Sequence, residues 1–319
     1  MMFKDKVYTS IQCELNVVHH CNLSCRACTH LAPTLEKHFA DANKIFDDFL
    51  ILAKYYRTKV VKILGGEPLL HPNLIQIINA IRSSGITKRI HVVTNGQLLT
   101  RVSDLFWQKV DEVQISIYPT KEISAEVIKT FQHKARIHNV AFQYLYFDKF
   151  RESYSEIGTS NSKLVRQIYS TCKMAHVWQC HTVDNGYFYK CPISPFIPRV
   201  ITNCVVKPYQ NGVKIIDSPK FAKDLLTYLE SSEPLEACSH CLGSVGKLFS
   251  HEQKERKTWR SQQQFSTEEL IDMEYLTTLE NNPIAKDSCM RNRSRVKNLF
   301  SRAQRMQRCL VRKLKRITV

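Results

Sequence analysis

The sequence contains no run approaching the roughly eighteen apolar residues that a membrane-spanning helix needs. Its first ten residues, MMFKDKVYTS, lack the apolar core of a secretory signal. Both absences point to a cytoplasmic protein. No internal repeat is visible. Acidic residues nearly vanish at the C-terminal end. Residues 286–319 hold twelve Lys and Arg against one acid, Asp287, and so carry +11 of the formal +17. The other 285 residues carry only +6. The body is therefore mildly basic, and the tail is a separate electrostatic object.

A chain of 319 residues suggests one large domain or two ordinary ones, and a hydrophobic content of 43% supplies a core. In the first half, strand-like and helix-like segments alternate. Strands are expected at 14–20, 60–64, 90–93, 113–117 and 140–146, with helices at 41–56, 73–83, 98–110 and 125–134. This alternation predicts an α/β fold of βα units around a parallel sheet. Sites in such sheets form at the C-terminal ends of the strands. The unusual residues fall there: 21–28, 65–68, 94–96 and 116–119. Beyond residue 160 a helix is expected at 162–171 and a hairpin at 178–191, turning at Asp184-Asn185-Gly186. A further helix is expected at 221–229, and 251–319 read as polar and helical in pieces.

Twelve cysteines are many for a reducing compartment, where clustered thiols bind metals or do redox chemistry. Cys21, Cys25 and Cys28 share one short loop. Three thiolates can each take one corner iron of a [4Fe–4S] cube and leave the fourth iron open. A structural zinc site with His30 as fourth ligand is the alternative, though the paired spacing usual for zinc is missing.

Cys-x3-Cys-x2-Cys after a first strand, followed by Gly65-Gly66-Glu67-Pro68 after a second, resembles the signature of the radical S-adenosylmethionine (SAM) superfamily. The resemblance implies a partial (β/α)6 barrel over residues 1–160. It implies that SAM chelates the open iron and that Glu67 accepts a hydrogen bond from the SAM amine. The two glycines would let the backbone approach a ligand closely. Thr94, Asn95 and Ser116 stand where the family contacts SAM, although Thr94-Asn95-Gly96 also reads as a plain turn. Many members carry an aromatic residue before the third cysteine. Here it is Ala27, so adenine packing must come from elsewhere. The implied chemistry is reductive cleavage of SAM to a 5′-deoxyadenosyl radical, with an electron supplied by a donor such as flavodoxin or ferredoxin.

Cys172, Cys191, Cys238 and Cys241 resemble the Twitch form of the auxiliary-cluster extension, placed at 161–250 and holding a second [4Fe–4S] cluster. The longer SPASM form needs further cysteines, which 242–251 lack. Cys180 competes with Cys172 as ligand and is also a candidate hydrogen-atom donor to a substrate radical. Zinc is again the alternative. Cys13, Cys204, Cys289 and Cys309 are treated as ordinary.

In the tail assigned to 251–319, Val296, Leu299, Phe300, Ala303, Met306, Leu310, Leu314 and Ile317 recur at helical spacing among Arg and Lys. Such a helix packs on its own protein or lies on an acidic membrane. It lacks the interleaved aromatics of a single-strand nucleic-acid binder, and no nucleic-acid partner is expected. Three functions compete. The first is oxidation or epimerisation of a small polar substrate: a sugar, aminoglycoside or nucleotide-sugar, possibly phosphorylated. The second is a peptide-modifying radical SAM enzyme, which commonly has a leader-binding extension; the first motif starts at residue 21, leaving no room for one before it. The third, a zinc-stabilised nucleic-acid binder, leaves Gly65-Gly66-Glu67 unexplained.

Overall fold

The computed structural model describes residues 8–201 and 208–282. Cys204, Cys289, Cys309 and the amphipathic segment 296–317 lie outside them. Five strands, β1 (Tyr8–Val18), β2 (Tyr56–Gly65), β3 (Ile90–Thr94), β4 (Glu112–Ile117) and β5 (Ala141–Tyr146), alternate with four helices. These are α1 (Ala42–Leu52), α2 (Leu74–Ser83), α3 (Asp104–Lys109) and α4 (Ala125–Ile137). The short strand β6 (Lys149–Arg151) and helix α5 (Ser162–Ser170) follow. The antiparallel hairpin β7 (His181–Asp184) and β8 (Tyr187–Tyr189) comes next, then β9 (Gly212–Lys214) and β10 (Leu248–Ser250).

The main sheet has the order β5-β4-β3-β2-β1-β7-β8-β9. Strands β1 to β5 and β7 run parallel, so the α/β expectation holds. The six parallel strands are not six successive βα units, however. The sixth, β7, comes from the C-terminal half and pairs with β1, setting Cys13 against His181 and Leu15 against Val183. One sheet thus runs through the expected boundary at residue 160. A second crossing of that boundary is the antiparallel pairing of β6 with β10.

Alternation and helical period explain the core. On β1 every second residue (Cys13, Leu15 and Val17) is buried in the main core. Helix α1 supplies Ile45, Phe49 and Leu52 to that core, at the spacing of one helix face, and Asp41 caps it by accepting from Lys44 N at 2.9 Å. Leu74, Ile77, Ile78 and Ile81 do the same for α2. The helix expected at 98–110 is broken. Val102 is extended (φ −74°, ψ 143°) between a single turn, Leu99–Arg101, and α3. The Asn185-Gly186 turn has φ of 47° and 78°, the doubly left-handed geometry of a two-residue hairpin.

Phe49 is fully buried (0% exposed) in that core. Phe49→Ala is expected to cost about 3–5 kcal/mol of unfolding free energy, measured by urea denaturation.

Candidate active site

The cysteine loop leaves the C-terminal end of β1 and is gripped from two sides. From one side comes the end of β2. Gly66 N donates to Val18 O at 2.7 Å and Glu67 N to His20 O at 3.1 Å. A Cβ on Gly66 would lie 1.9 Å from His20 O and 2.8 Å from Cys21 N, and one on Gly65 (φ +138°) would lie 2.3 Å from Val18 O. The glycines therefore serve a backbone-to-backbone approach between two loops, where the sequence suggested an approach to ligand.

From the other side comes the segment 252–260, which by sequence belongs to the tail at 251–319. Arg26 N donates to Glu252 O (2.9 Å), Lys254 N to Ser24 O (3.0 Å), Arg256 Nη2 to Cys21 O (3.0 Å) and Trp259 Nε1 to Cys25 O (2.8 Å). Arg26 also pairs with Glu152 and Glu252. Between these two grips Ala27 and Leu31 take left-handed φ values of 52°. A strained non-glycine backbone of this kind persists only where its surroundings hold it.

Glu67 is fully buried (0% exposed). Its Oε1 accepts from Thr94 Oγ1 (2.6 Å) and Leu69 N (3.0 Å), and its Oε2 accepts from Asn95 N (2.8 Å). Burial pushes its carboxyl up to about 7, against the downward pull of these three donors. Glu67 thus ties the loop after β2 to the loop after β3. Asn95 carries the tie onward: its Nδ2 donates to Asn22 Oδ1 (2.8 Å) and reaches Cys21 Sγ (3.7 Å).

These loops open onto a cavity of about 470 Å³. Cys21, Cys25 and Cys28 line one wall, with Gly65, Gly66, Thr94, Asn95 and Ser116 beside them. Each stands near the C-terminal end of a parallel strand or on the loop that follows it. Glu67 braces the wall from behind and is not part of the lining. Tyr118, two residues past Ser116, also lines the cavity and stacks on His251 at 4.8 Å. With Phe150, which also lines the cavity, it forms an aromatic patch. His30 lines the cavity too. Its Nδ1 is buried without a partner, and burial lowers its pKa to about 4.

The second group converges as well. Cys172, Cys191, Cys238 and Cys241 line one small cavity. Cys180 stands apart, buried beside Gln12, whose Nε2 donates to its sulfur at 3.1 Å, and next to Glu14. It lines neither cavity. Facing the four thiols is Lys190, only 6% exposed. Its Nζ donates to Ser231 O (2.6 Å) and Tyr169 Oη (3.2 Å), and no carboxylate among the described residues pairs with it.

Both groups suit iron–sulfur clusters. Backbone N–H groups of His30, Leu31 and Ala32 serve the Cys28 sulfur, and those of Met174 and Ala175, with Ser244, serve Cys172. Hydrogen bonds of this kind stabilise thiolates and tune clusters. Burial outweighs them, raising Cys21 to about 12 and Cys172 to about 11. Loading must therefore release protons. Lys190, held by two neutral oxygens, leaves a positive charge beside the second thiol group that an anionic cluster would fit. Among the described residues no three His, Cys, Asp or Glu side chains are placed to hold a single ion. A cubane spreads its ligands over separate corners.

A cavity ringed by strand-end loops, with three thiols on one loop, thus lies at the mouth of an α/β sheet. Residues 15–140 match the family model described as the Radical SAM superfamily. That segment carries the radical SAM match, and the matched family implies a [4Fe–4S] cluster and SAM. A GTP 3',8-cyclase of Trichodesmium erythraeum is 30% identical over 108 residues, covering 32% of this chain and 33% of the relative. A PqqA peptide cyclase of Streptomyces rochei is 26% identical over 131 residues, covering 40% and 34%. The aligned segment spans about a third of the length of these relatives. BtrN in complex with AdoMet and 2-DOIA superimposes with a TM-score of 0.41 at 13% identity, covering 71% of this chain and 84% of that one. For anSMEcpe with bound AdoMet the TM-score is 0.41 at 12% identity, covering 66% and 78%. Likeness of that degree fixes neither reaction nor substrate.

Gly66→Ala must displace the His20–Cys21 backbone. It is expected to cost about 1–3 kcal/mol and to lower iron bound per chain, read by thermal unfolding and iron assay. Glu67 makes a pH prediction. Folded, it keeps its proton up to about 7, whereas its ordinary value is 4.5. The stability this contributes is complete below 4.5 and is lost as pH rises to about 7. Glu67→Gln lacks this dependence. Wild type should therefore lose stability relative to the variant across that window in urea unfolding; a constant difference refutes the assignment.

Proposed function

We propose that Cys21, Cys25 and Cys28 hold a [4Fe–4S] cluster with one iron open to SAM, and that the chain is a radical SAM oxidoreductase acting on a small polar substrate. The observation that carries this is the shared cavity, which puts the three thiols, the glycine loop, Thr94, Asn95 and Ser116 on one surface. When bound, the cluster and SAM supply an organic radical able to remove a hydrogen atom from a C–H bond. Thr94, Asn95 and Ser116 would receive the polar groups of SAM, and Tyr118 the flat face of its adenine. Glu67, expected from the family resemblance to receive the SAM amine, would act from behind the lining, where its three hydrogen bonds position Thr94 and Asn95. An external donor such as flavodoxin or ferredoxin would supply the electron.

In the same proposal, Cys172, Cys191, Cys238 and Cys241 hold a second [4Fe–4S] cluster in a Twitch-like part at 161–250, beyond the SAM-binding part at 1–160. The convergence of these four supports Cys172 over Cys180 as ligand. Oxidation is favoured over epimerisation. Return of a hydrogen atom to substrate needs a donor at the cavity, and among its lining residues the only thiols are the triad. The second thiol group instead offers an exit for the electron left on a substrate carbon. The GTP cyclases among the relatives support a nucleotide-bearing or phosphorylated substrate, and the PqqA peptide cyclase supports the peptide alternative.

Protein purified without oxygen should carry about eight irons and eight sulfides per chain, and about four of each after the triad is replaced by Ala. With SAM and a strong reductant, wild type should release 5′-deoxyadenosine and the triad variant none. Bound zinc without sulfide would overturn the reading.

A further inference from the structure

The cavity has a second wall, opposite in chemistry to the thiol loop. Lys149 and Arg151 reach it from β6 and Lys173 from the residue after Cys172. Two of these cations share one tyrosine. The Arg151 guanidinium lies 4.1 Å over the Tyr275 ring, and Lys173 Nζ donates to Tyr275 Oη at 2.6 Å, 5.3 Å from the same ring centre. One carboxylate serves this group: Asp272 Oδ2 pairs with Arg151 Nη1 at 3.3 Å, and that nitrogen also donates to Gly246 O at 2.8 Å. Lys149 and Lys173 have no acidic partner among the described residues. The one carboxylate in the cavity lining, Glu152, is taken by Arg26 and by Gln263 Nε2 at 3.2 Å. Two ammonium groups without acidic partners and a half-compensated guanidinium therefore line one cavity, Lys149 at its exposed side, and their charges of one sign reinforce each other there.

We propose that Lys149, Arg151 and Lys173 form an anion subsite that receives a phosphate or pyrophosphate group of the substrate. This rests on the reading of the cavity as the substrate site and names the class of substrate it takes. SAM is a poor occupant of this wall, since it carries a sulfonium and an ammonium against one carboxylate. A doubly charged phosphate matches it: Arg151 offers a planar fork and the two lysines offer mobile point charges. The location fits a positioning role. Lys173, the residue next to Cys172, donates from its backbone N to Ser244 Oγ at 2.8 Å, and the triad lines the same cavity. A phosphate held here fixes one end of the substrate and leaves its C–H bond between the two thiol groups. Met174 and the indole of Trp178, 51% exposed, add an apolar side on which a sugar or base ring can lie.

The test uses the full chain purified without oxygen and titrated calorimetrically with inorganic pyrophosphate at low salt. Wild type should bind one equivalent. Lys149→Ala/Lys173→Met should weaken it at least tenfold, Lys149→Glu alone should weaken it, and Lys149→Arg/Lys173→Arg should restore it. SAM affinity, measured in the same samples, should be unchanged. Absence of binding to wild type overturns the subsite, as does equal binding by the double variant when its thermal unfolding is native-like. A parallel loss of SAM affinity overturns it too, because the cations would then serve the SAM carboxylate. Iron and sulfide are counted on every sample. A chain without clusters that still binds pyrophosphate refutes the radical reading and keeps the subsite; a loaded chain that does not bind refutes the subsite alone.

Discussion

The contact on which the site depends is the one between Gly66 and the His20–Cys21 peptide. A side chain at Gly66 cannot fit, because its first carbon would overlap the His20 carbonyl. That closeness lets Gly66 N and Glu67 N bond the end of β1 directly, which fixes where the cysteine loop begins. From Glu67 the order spreads sideways to Thr94 and Asn95, and from Asn95 back to Asn22 and Cys21. The circuit closes on itself, so the loops after β1, β2 and β3 share one geometry. The left-handed residues Ala27 and Leu31 then bend the remaining loop so that Cys25 and Cys28 face the same space as Cys21.

Much of this could be read in the sequence, because the information is local. Cysteine spacing, the Gly65-Gly66-Glu67 run and the Asn185-Gly186 turn each occupy a few adjacent residues, and the strands and helices show their own periodicities. What escaped depends on pairs far apart in the chain. Trp259 bonds the Cys25 carbonyl and Arg256 the Cys21 carbonyl, and backbone acceptors leave no trace in side-chain pattern. The lone tryptophan in a polar stretch was the one available signal, since a buried indole needs a partner. The pairing of β7 with β1 was equally hidden, because a short strand carries no mark of its neighbour. Cys180 and Cys172 are equal as letters. Only tertiary placement sets one among three other thiols and the other beside Gln12.

Charge organises the two halves of the molecule differently. At the thiol loop, acids and bases are matched: Arg26 has Glu152 and Glu252. On the opposite wall and beside the second thiol group, cations stand without matching acids: Lys149, Lys173 and Lys190. Lys173 and Lys190 are held by neutral oxygens, Tyr275 Oη for the first and Ser231 O and Tyr169 Oη for the second, so each keeps its positive charge uncompensated beside a thiol-lined cavity.

The sheet continuous from β5 to β9 has a mechanical consequence. The triad loop springs from β1, and the strand next to it, β7, leads through β8 directly to Cys191. The roots of the triad loop and of the segment leading to Cys191 are thus joined by ladder hydrogen bonds of one sheet, so the start of the first loop cannot shift without disturbing the strand that leads to the second.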